Sequence, residues 1–251
     1  MTVHDSASRG FQLGADAYER GRPGYPQDAI DWLRAQLDLT PGRTVLDVGA
    51  GTGKLTRQLV ATGATVLAVE PVPGMRAVLE RVVPEATAME GTAEALPVGD
   101  GAVDAVTVGQ AFHWFDVPIT LAEFHRVLRP TPAGRFGLIW NRRRMDQPLH
   151  REISAIIEPY HGDTPRHLHG AWREPVETSE LFTKVEELEV PSEQVVDVDG
   201  VVDRVGSTSF IAALPDSDRE AVLGRVRALA ERHPAPLRLE YVTEAYVYER
   251  R

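Results

Sequence analysis

The chain of 251 residues contains no cysteine. That excludes disulfides, a thiol nucleophile and a thiolate metal site, and it permits a reducing compartment. Lysine is nearly absent, with Lys54 and Lys184 standing against 25 arginines. We read this as a coding bias, which makes arginine-rich patches less informative than usual. No apolar run approaches the roughly 18 residues a membrane span needs, and no basic-then-apolar leader is visible. A soluble, cytoplasmic protein is expected. An excess of positive charge is missing too: the formal net charge is -10 and the pI near 5.3, so nucleic acid and anionic membranes are repelled at long range. The expected partner is a small molecule, acting on a monomer or homodimer. With 43% hydrophobic residues, one sizeable core is affordable in this length, and a second independent domain is not required.

What the sequence does have is a run of glycines at alternate positions. Residues 45–56 read Val45-Leu46-Asp47-Val48-Gly49-Ala50-Gly51-Thr52-Gly53-Lys54-Leu55-Thr56. An apolar, β-branched run gives a strand, three glycines give a tight turn, and a helix start follows. Glycine permits φ > 0 and removes the Cβ atoms that would hold a ligand off the main chain. The free N–H groups of a helix start then face whatever binds. A phosphate-binding P-loop needs glycine five positions before the Gly-Lys pair and Ser or Thr after it; Val48 and Leu55 occupy those positions. A dinucleotide fingerprint reads G-x-G-x-x-G, whereas Lys54 makes this G-x-G-x-G.

Strand and helix patterns alternate from Thr44 to Trp140, which predicts a doubly wound parallel sheet. Thr65 to Val69 forms a buried strand with Glu70 at its tip, and in open parallel sheets ligands bind outside those tips. A carboxylate there accepts two vicinal hydroxyls in a charge-assisted contact. Ala86 to Glu90 is a weak third strand, Val103 to Gly109 the fourth and Arg135 to Trp140 the fifth. Between the last two, Asp116 or Thr120 opens a helix through Leu121, Phe124, Val127 and Leu128.

The glycine turn with Asp47 before it and Glu70 ending the next strand resembles the class I S-adenosylmethionine-dependent methyltransferases. Two further segments resemble its small-molecule branch, the trans-aconitate and ubiquinone type: Tyr18-x-x-x-Arg22-Pro23-Gly24-Tyr25-Pro26, and Ala111-Phe112-His113-Trp114-Phe115 with Arg126-Val127-Leu128-Arg129-Pro130. The resemblance covers most of the first 141 residues. It implies a Rossmann-like α/β fold, mostly parallel with a C-terminal antiparallel strand, an N-terminal helical lid and a C-terminal helical insertion. It also implies S-adenosylmethionine as cofactor, with S-adenosylhomocysteine as product. Cofactor contacts then fall on Asp47, Gly49, Ala50, Gly51, Thr52 and Gly53 at the turn, and on Glu70 at the ribose. Pro71, Met75, Thr92 and Ala93 stand near the adenine, and Gln110 and Ala111 face the methyl group. Tyr18 and Arg22 reach the aminoacyl end or a substrate carboxylate. Three departures stand out: Ala50 where Cys is common, Thr92 where Asp is common, and Thr131-Pro132-Ala133 replacing a tighter Gly-Gly turn.

The expected organisation is a single methyltransferase domain over 1–251, with a helical cap at 1–42, a cofactor-binding core at 43–141, a helical or loop insertion at 142–180 and closing strands and helices at 181–251. In the cap, weak helical character over 11–20 precedes a helix from Gln27 to Leu37 whose Ile30, Leu33 and Leu37 share a face. Beyond Trp140, Asn141-Arg142-Arg143-Arg144-Met145 lies just past the fifth strand, where Arg142 is a candidate for a substrate carboxylate or part of a solvated basic cluster. A helix at 148–159, a loop at 160–175, a strand at 182–190, helices at 198–205 and 216–232 and a last strand at 237–248 complete the reading. His161, His167 and His169 match no helix-borne ligand pair and no acid completes a set, so no metal is expected. Ser207 and Ser209 lack a G-x-S-x-G setting and read as turn residues.

Methyl transfer from a sulfonium is an in-line displacement of a good leaving group, so the protein supplies orientation and exclusion of water, with a base only where the acceptor must lose a proton. The acceptor is an oxygen, nitrogen or carboxylate of a small molecule. His113 is the candidate base, or else a gate residue beside Trp114, which is the candidate substrate wall. A nicotinamide oxidoreductase is the first alternative, though no tyrosine is followed by lysine at the fourth position. A non-catalytic cofactor-binding scaffold is the second.

Overall fold

The computed structural model describes residues 12, 15–130, 134–165 and 170–251; Phe11, Leu13, Thr131 to Ala133, His167 and His169 fall outside them. Short apolar runs set up the sheet. β1 (Thr44–Val48), β2 (Thr65–Val69), β3 (Thr87–Met89), β4 (Ala105–Gly109) and β5 (Arg135–Arg143) run parallel, joined by β6 (Phe182–Val196) and β7 (Leu237–Arg250). Among the described residues the sheet has seven strands in the order β3-β2-β1-β4-β5-β7-β6, with β7 antiparallel to both neighbours. The Rossmann-like reading with an antiparallel closing strand therefore stands. The strand order reverses beside β1, between β2 and β4, and this is where an open α/β sheet leaves a crevice.

Helices cover both faces, which is why β1 and β4 read as near-continuous hydrophobic runs. α1 (Gln27–Gln36) buries Ala29, Ile30 and Leu33 against Val45, Ala105, Ile139 and Val247 on one face. α2 (Thr56–Val60) and α3 (Pro73–Val82) follow the first two strands. α4 (Val117–Val127) buries Leu121, Phe124 and Val127 on the other face with Phe136 and Tyr248. Its start is fixed by Asp116, whose side chain accepts from the Ile119 N–H, and by Pro118 in the first turn, where a missing N–H costs nothing.

β7 begins beyond the end of β5. The last β5–β7 pair is Arg143↔Tyr241, while residues 237–240 of β7 pair with β6 alone. The β6–β7 hairpin thus projects past the carboxyl edge of the parallel strands. α5 (Pro148–Ile157), α7 (Val198–Gly206), α8 (Ser209–Ala212) and α9 (Asp216–Ala230) build a third core on it with Leu237, Leu239 and Tyr241. A helical roof over the ligand edge results.

Three element boundaries differ from the sequence reading. β5 runs three residues past Trp140, because Asn141, Arg142 and Arg143 are held by backbone pairing to β7 and not by apolar alternation. Arg142 is accordingly a strand residue, not part of a loop past the strand. β6 continues six residues beyond Val190 through Pro191, which an edge strand tolerates because one side of it needs no N–H donor. The predicted loop at 160–175 runs into a short helix, α6 (Arg173–Glu177), whose apolar content is too small to signal itself.

Candidate active site

The turn after β1 is pinned to β2: the Gly49 and Ala50 N–H groups donate to the Val69 carbonyl at 2.9 and 3.1 Å. Gly49 has φ +67° and a Cβ there would lie 2.8 Å from the Ala111 Cβ, so bulk is excluded by the β4 turn. Gly51 has φ +59°, and a Cβ there would meet nothing within 4 Å. Its strain-free left-handed backbone therefore faces open space, the shape of a cradle for a ligand.

Glu70 follows β2 and reaches back into this turn. Its Oε2 accepts the Gly51 N–H at 2.8 Å and its Oε1 the Val72 N–H at 2.9 Å. A carboxylate offers about four lone-pair sites, so each oxygen keeps one for a further donor. Burial pushes the Glu70 carboxyl up to about 7, against the opposing pull of the two N–H donors and Arg76. Asp47 is fully buried in β1 and accepts from the Thr56 hydroxyl at 2.7 Å and the Thr107 hydroxyl at 3.1 Å. Burial lifts it to about 7 as well, the two hydroxyls opposing. Asp47 thus ties β1 to α2 and β4 beneath the turn.

Residues 15–21 are helical and lie across the cleft as a strap. Glu19 fastens it to the glycine turn. Its carboxylate accepts from the Thr52 hydroxyl at 2.7 Å and from Arg57 at 2.6 Å, with the Lys54 ammonium 3.4 Å away. Burial opposes ionisation of Glu19, yet these donors and charges outweigh it and hold the carboxyl below its ordinary value. At the other side Arg20 pairs with Asp203 at 2.7 Å, and Arg22 donates to the Ser207 hydroxyl at 3.0 Å and its carbonyl at 3.1 Å. The Arg22 guanidinium also sits 5.0 Å from the Tyr18 ring centre. The strap therefore spans from the turn to the roof.

Under the strap lies a cavity of about 200 Å³ lined by Tyr18, Arg22, Gln110, His113, Trp114 and Trp140, with further arginines described below. A narrower space shares Arg22, Gln110 and Asn141 with it, and shares Tyr25 and Lys54 with a small one at Gly49 and Asp47. Gln110, at the tip of β4, has φ +62°, a strain of roughly 1–3 kcal/mol for a residue with a side chain. Strain of this kind concentrates at functional sites.

The candidate residues thus fall into groups. Tyr18, Arg22, Asp47, Gly49, Ala50 and Gln110 line the connected spaces, and His113, Trp114 and Arg142 line the large cavity. Arg142 is paired with Glu244. Ala111 packs against Gly49, and Thr52 is buried on Glu19. Gly53 packs its bare Cα against Leu79 and Val83. Pro71 is half-buried beside Glu70, Met75 is buried with Ala15, Val72 and Val78, and Ala93 is buried next to Thr92 in a small β-bridge to Ala95. Glu19, Asn141 and Arg204 carry contacts that no motif announced: Glu19 sits inside a recognised segment without a distinctive spacing, and Arg204 looks like any solvated helix residue. Ser207, read as a turn residue, is the anchor for Arg22. Among the described residues no group of His, Asp and Glu could hold a metal, and no helix is long and apolar enough to cross a membrane.

Comparison with known proteins agrees with this geometry. Residues 46–134 match the family model described as a methyltransferase domain. The chain is similar to an uncharacterized methyltransferase of Mycobacterium tuberculosis, 42% identical over 241 residues, covering 94% of this chain and 93% of that protein. Among solved structures it resembles a type II methyltransferase, given as putative, from Anaeromyxobacter dehalogenans, with a TM-score of 0.63, 25% identity and coverage of 90% and 97%. It shares its fold with a geranyl diphosphate methyltransferase solved in complex with S-adenosylmethionine, with a TM-score of 0.51, 15% identity and coverage of 89% and 85%. Sheet order, glycine turn and strand-tip acid together define a nucleoside-binding α/β enzyme. The chain belongs to the S-adenosylmethionine-dependent class I methyltransferase family. That excludes the nicotinamide oxidoreductase alternative.

Proposed function

We propose that the protein transfers a methyl group from S-adenosylmethionine to a small molecule seated in the cavity under the strap, in the manner of the small-molecule branch its Tyr18–Pro26 and Ala111–Phe115 segments resemble. The observation that carries the reading is one of connection. Tyr18, Arg22 and Gln110 border the large cavity, and Tyr18 also borders the space at the glycine turn. A donor at the turn and an acceptor in the cavity therefore meet at these side chains. The residues present fit the nucleoside: Gly51 leaves open room, and Glu70 keeps one lone pair per oxygen for a ribose diol.

S-adenosylmethionine supplies the methyl group on a sulfonium that leaves as a thioether. The chain holds and shields it. Gly49 to Gly53 cradle the nucleoside, Asp47 braces the turn, and Glu70 takes the ribose. Pro71, Met75, Thr92 and Ala93 form the adenine side, with Thr92 contributing through its backbone. Ala111 and Gln110 close the methyl side. Tyr18 and Arg22 hold the aminoacyl end, Arg22 pushed down to about 10 by burial and by neighbouring arginines yet still charged at neutral pH. His113 faces the acceptor and takes its proton where the acceptor is an alcohol, phenol or protonated amine; Trp114 and Trp140 keep water out.

Calorimetry with S-adenosylmethionine, S-adenosylhomocysteine and NAD tests the binding half. Selective binding of the first two is expected, and preference for NAD would overturn the reading. Transfer of labelled methyl groups to a metabolite panel tests the catalytic half.

A further inference from the structure

Lys54 is one of two lysines in a chain with 25 arginines, and no cofactor contact described above uses its ammonium. Its neighbours fix its place. Gly53 turns at φ +88° with its bare Cα against Leu79 and Val83, Leu55 is buried, and α2 begins at Thr56. Between them the Lys54 side chain is only 18% exposed. Its ammonium donates to the Glu19 carbonyl at 2.5 Å and lies 3.4 Å from the Glu19 carboxylate, which Thr52 and Arg57 hold more closely, at 2.7 and 2.6 Å. An ammonium has three N–H donors, so Lys54 is braced by the strap and still has one donor for a ligand.

Lys54 borders two of the connected spaces. At the turn it stands with Asp47, Gly49, Tyr18 and Tyr25, and among the described residues it is the single lysine or arginine lining that space. In the narrower space beside it, Lys54 and Arg22 line the walls together. Arg22 also borders the large cavity, and its guanidinium is anchored on Ser207 in the roof. Arg22 thus marks the outer end of this passage and Lys54 the inner end. An acid, a cation and two phenols around one space suit a ligand group that carries both charges. The aminoacyl end of S-adenosylmethionine is such a group, with an ammonium and a carboxylate on one carbon. Burial holds Lys54 below its ordinary value against the pull of Glu19, and a second anion beside it would favour the charged form.

We propose that Lys54 binds the carboxylate of the cofactor's aminoacyl end from the turn side, and so selects nucleosides that keep this group. The proposal rests on the methyltransferase reading, in which Tyr18 and Arg22 hold the same end from the strap. A carboxylate accepts an ammonium and a guanidinium on separate oxygens, so the two cations grip it without competing. The carboxylate takes no part in the displacement. Its contact with Lys54 is therefore the same before and after transfer, and serves affinity for donor and product alike rather than the rate of the chemical step.

The experiment measures calorimetric Kd values for S-adenosylhomocysteine and for its carboxamide, which has the same shape without the negative charge. The wild type should prefer the carboxylate at least tenfold. Lys54→Met and Lys54→Gln, which keep much of the side chain and remove its charge, should each cut that preference at least fivefold, whatever the loosened strap does to both affinities together. Glu19→Ala loosens the strap and leaves Lys54 in place; it should weaken both ligands by a similar factor and keep the preference. Circular dichroism melting confirms that each variant is folded. An undiminished preference in both lysine variants overturns the proposal, as does a wild type that binds the two ligands equally. Loss of the preference in Glu19→Ala as well would place the carboxylate on the strap and overturn it too. A wild type that binds neither ligand would instead overturn the methyltransferase reading, and this proposal with it.

Discussion

On the proposed reading Glu70 serves the chain and the nucleoside together. It holds Gly51 and Val72 through their N–H groups, and a ribose diol then needs both remaining lone pairs on an ionised group. A protonated carboxyl loses one of them. Because burial lifts Glu70 to about 7 from an ordinary value of about 4.3, the folded protein takes up a proton here between those values. The sign follows: stability contributed by this group is greatest below the ordinary value, falls as pH rises to about 7 and is constant above, whereas nucleoside binding improves over the same rise. Calorimetric affinity for S-adenosylhomocysteine should therefore fall several-fold from pH 8 to pH 6. Glu70→Gln should bind at least tenfold more weakly at pH 8 and with a shallower dependence. Asp47 titrates in the same range and is coupled to Glu70, so a shallow step will survive in the variant. An equally steep dependence in Glu70→Gln would remove Glu70 from the site. In the proposed reaction His113 belongs to the other half of the chemistry. His113→Ala should leave that affinity within twofold and lower turnover on a proton-bearing acceptor by roughly 100-fold, the usual scale of general-base assistance. Unchanged turnover would leave His113 as a wall residue.

At the level of elements, the strap depends on Glu19. Its carboxylate collects Thr52, Arg57 and Lys54, contacts of a half-shielded charged group that are each worth about 1.5 kcal/mol or less once solvent screening is allowed for. Glu19→Ala should free residues 15–21. The measurable results are faster tryptic cleavage after Arg20 and a roughly tenfold loss of cofactor affinity, with little change in melting temperature, because the strap is not part of the main cores. Cleavage at the wild-type rate would show that the Arg20 and Arg22 contacts suffice. This fastening was not legible in the sequence. The glycine turn and Glu70 were, because the turn's shape is dictated by a dozen adjacent residues and strand tips collect ligand-facing groups. Glu19 meets partners 33 to 38 positions away, and Arg22 a serine 185 positions away; spacing says nothing about such pairs. The ends of β5 and β6 escaped for a related reason, since polar Asn141 to Arg143 and Pro191 are held in strands by backbone pairing with β7.

Across the whole molecule, β7 is the shared member. Tyr246 and Tyr248 enter the core on one face, Ala245 and Val247 the core on the other, and Leu237, Leu239 and Tyr241 the core of the roof. Roof and sheet should then unfold together. Val247→Ala, at a fully buried position, should cost roughly 2 kcal/mol, with circular dichroism and tryptophan fluorescence reporting a single coincident urea transition. Two separated transitions would show that the roof folds as its own unit. The doubly wound core was readable from alternation alone. The roof was not, because its helices bury their faces on a hairpin that lies beyond the sheet and is formed from strands 41 positions apart in sequence, from the end of one at Val196 to the start of the other at Leu237.

One segment carries Tyr18 and Arg22 into the large cavity while Glu19, between them, is moored to the glycine turn. Loosening that mooring would therefore disturb both spaces at once.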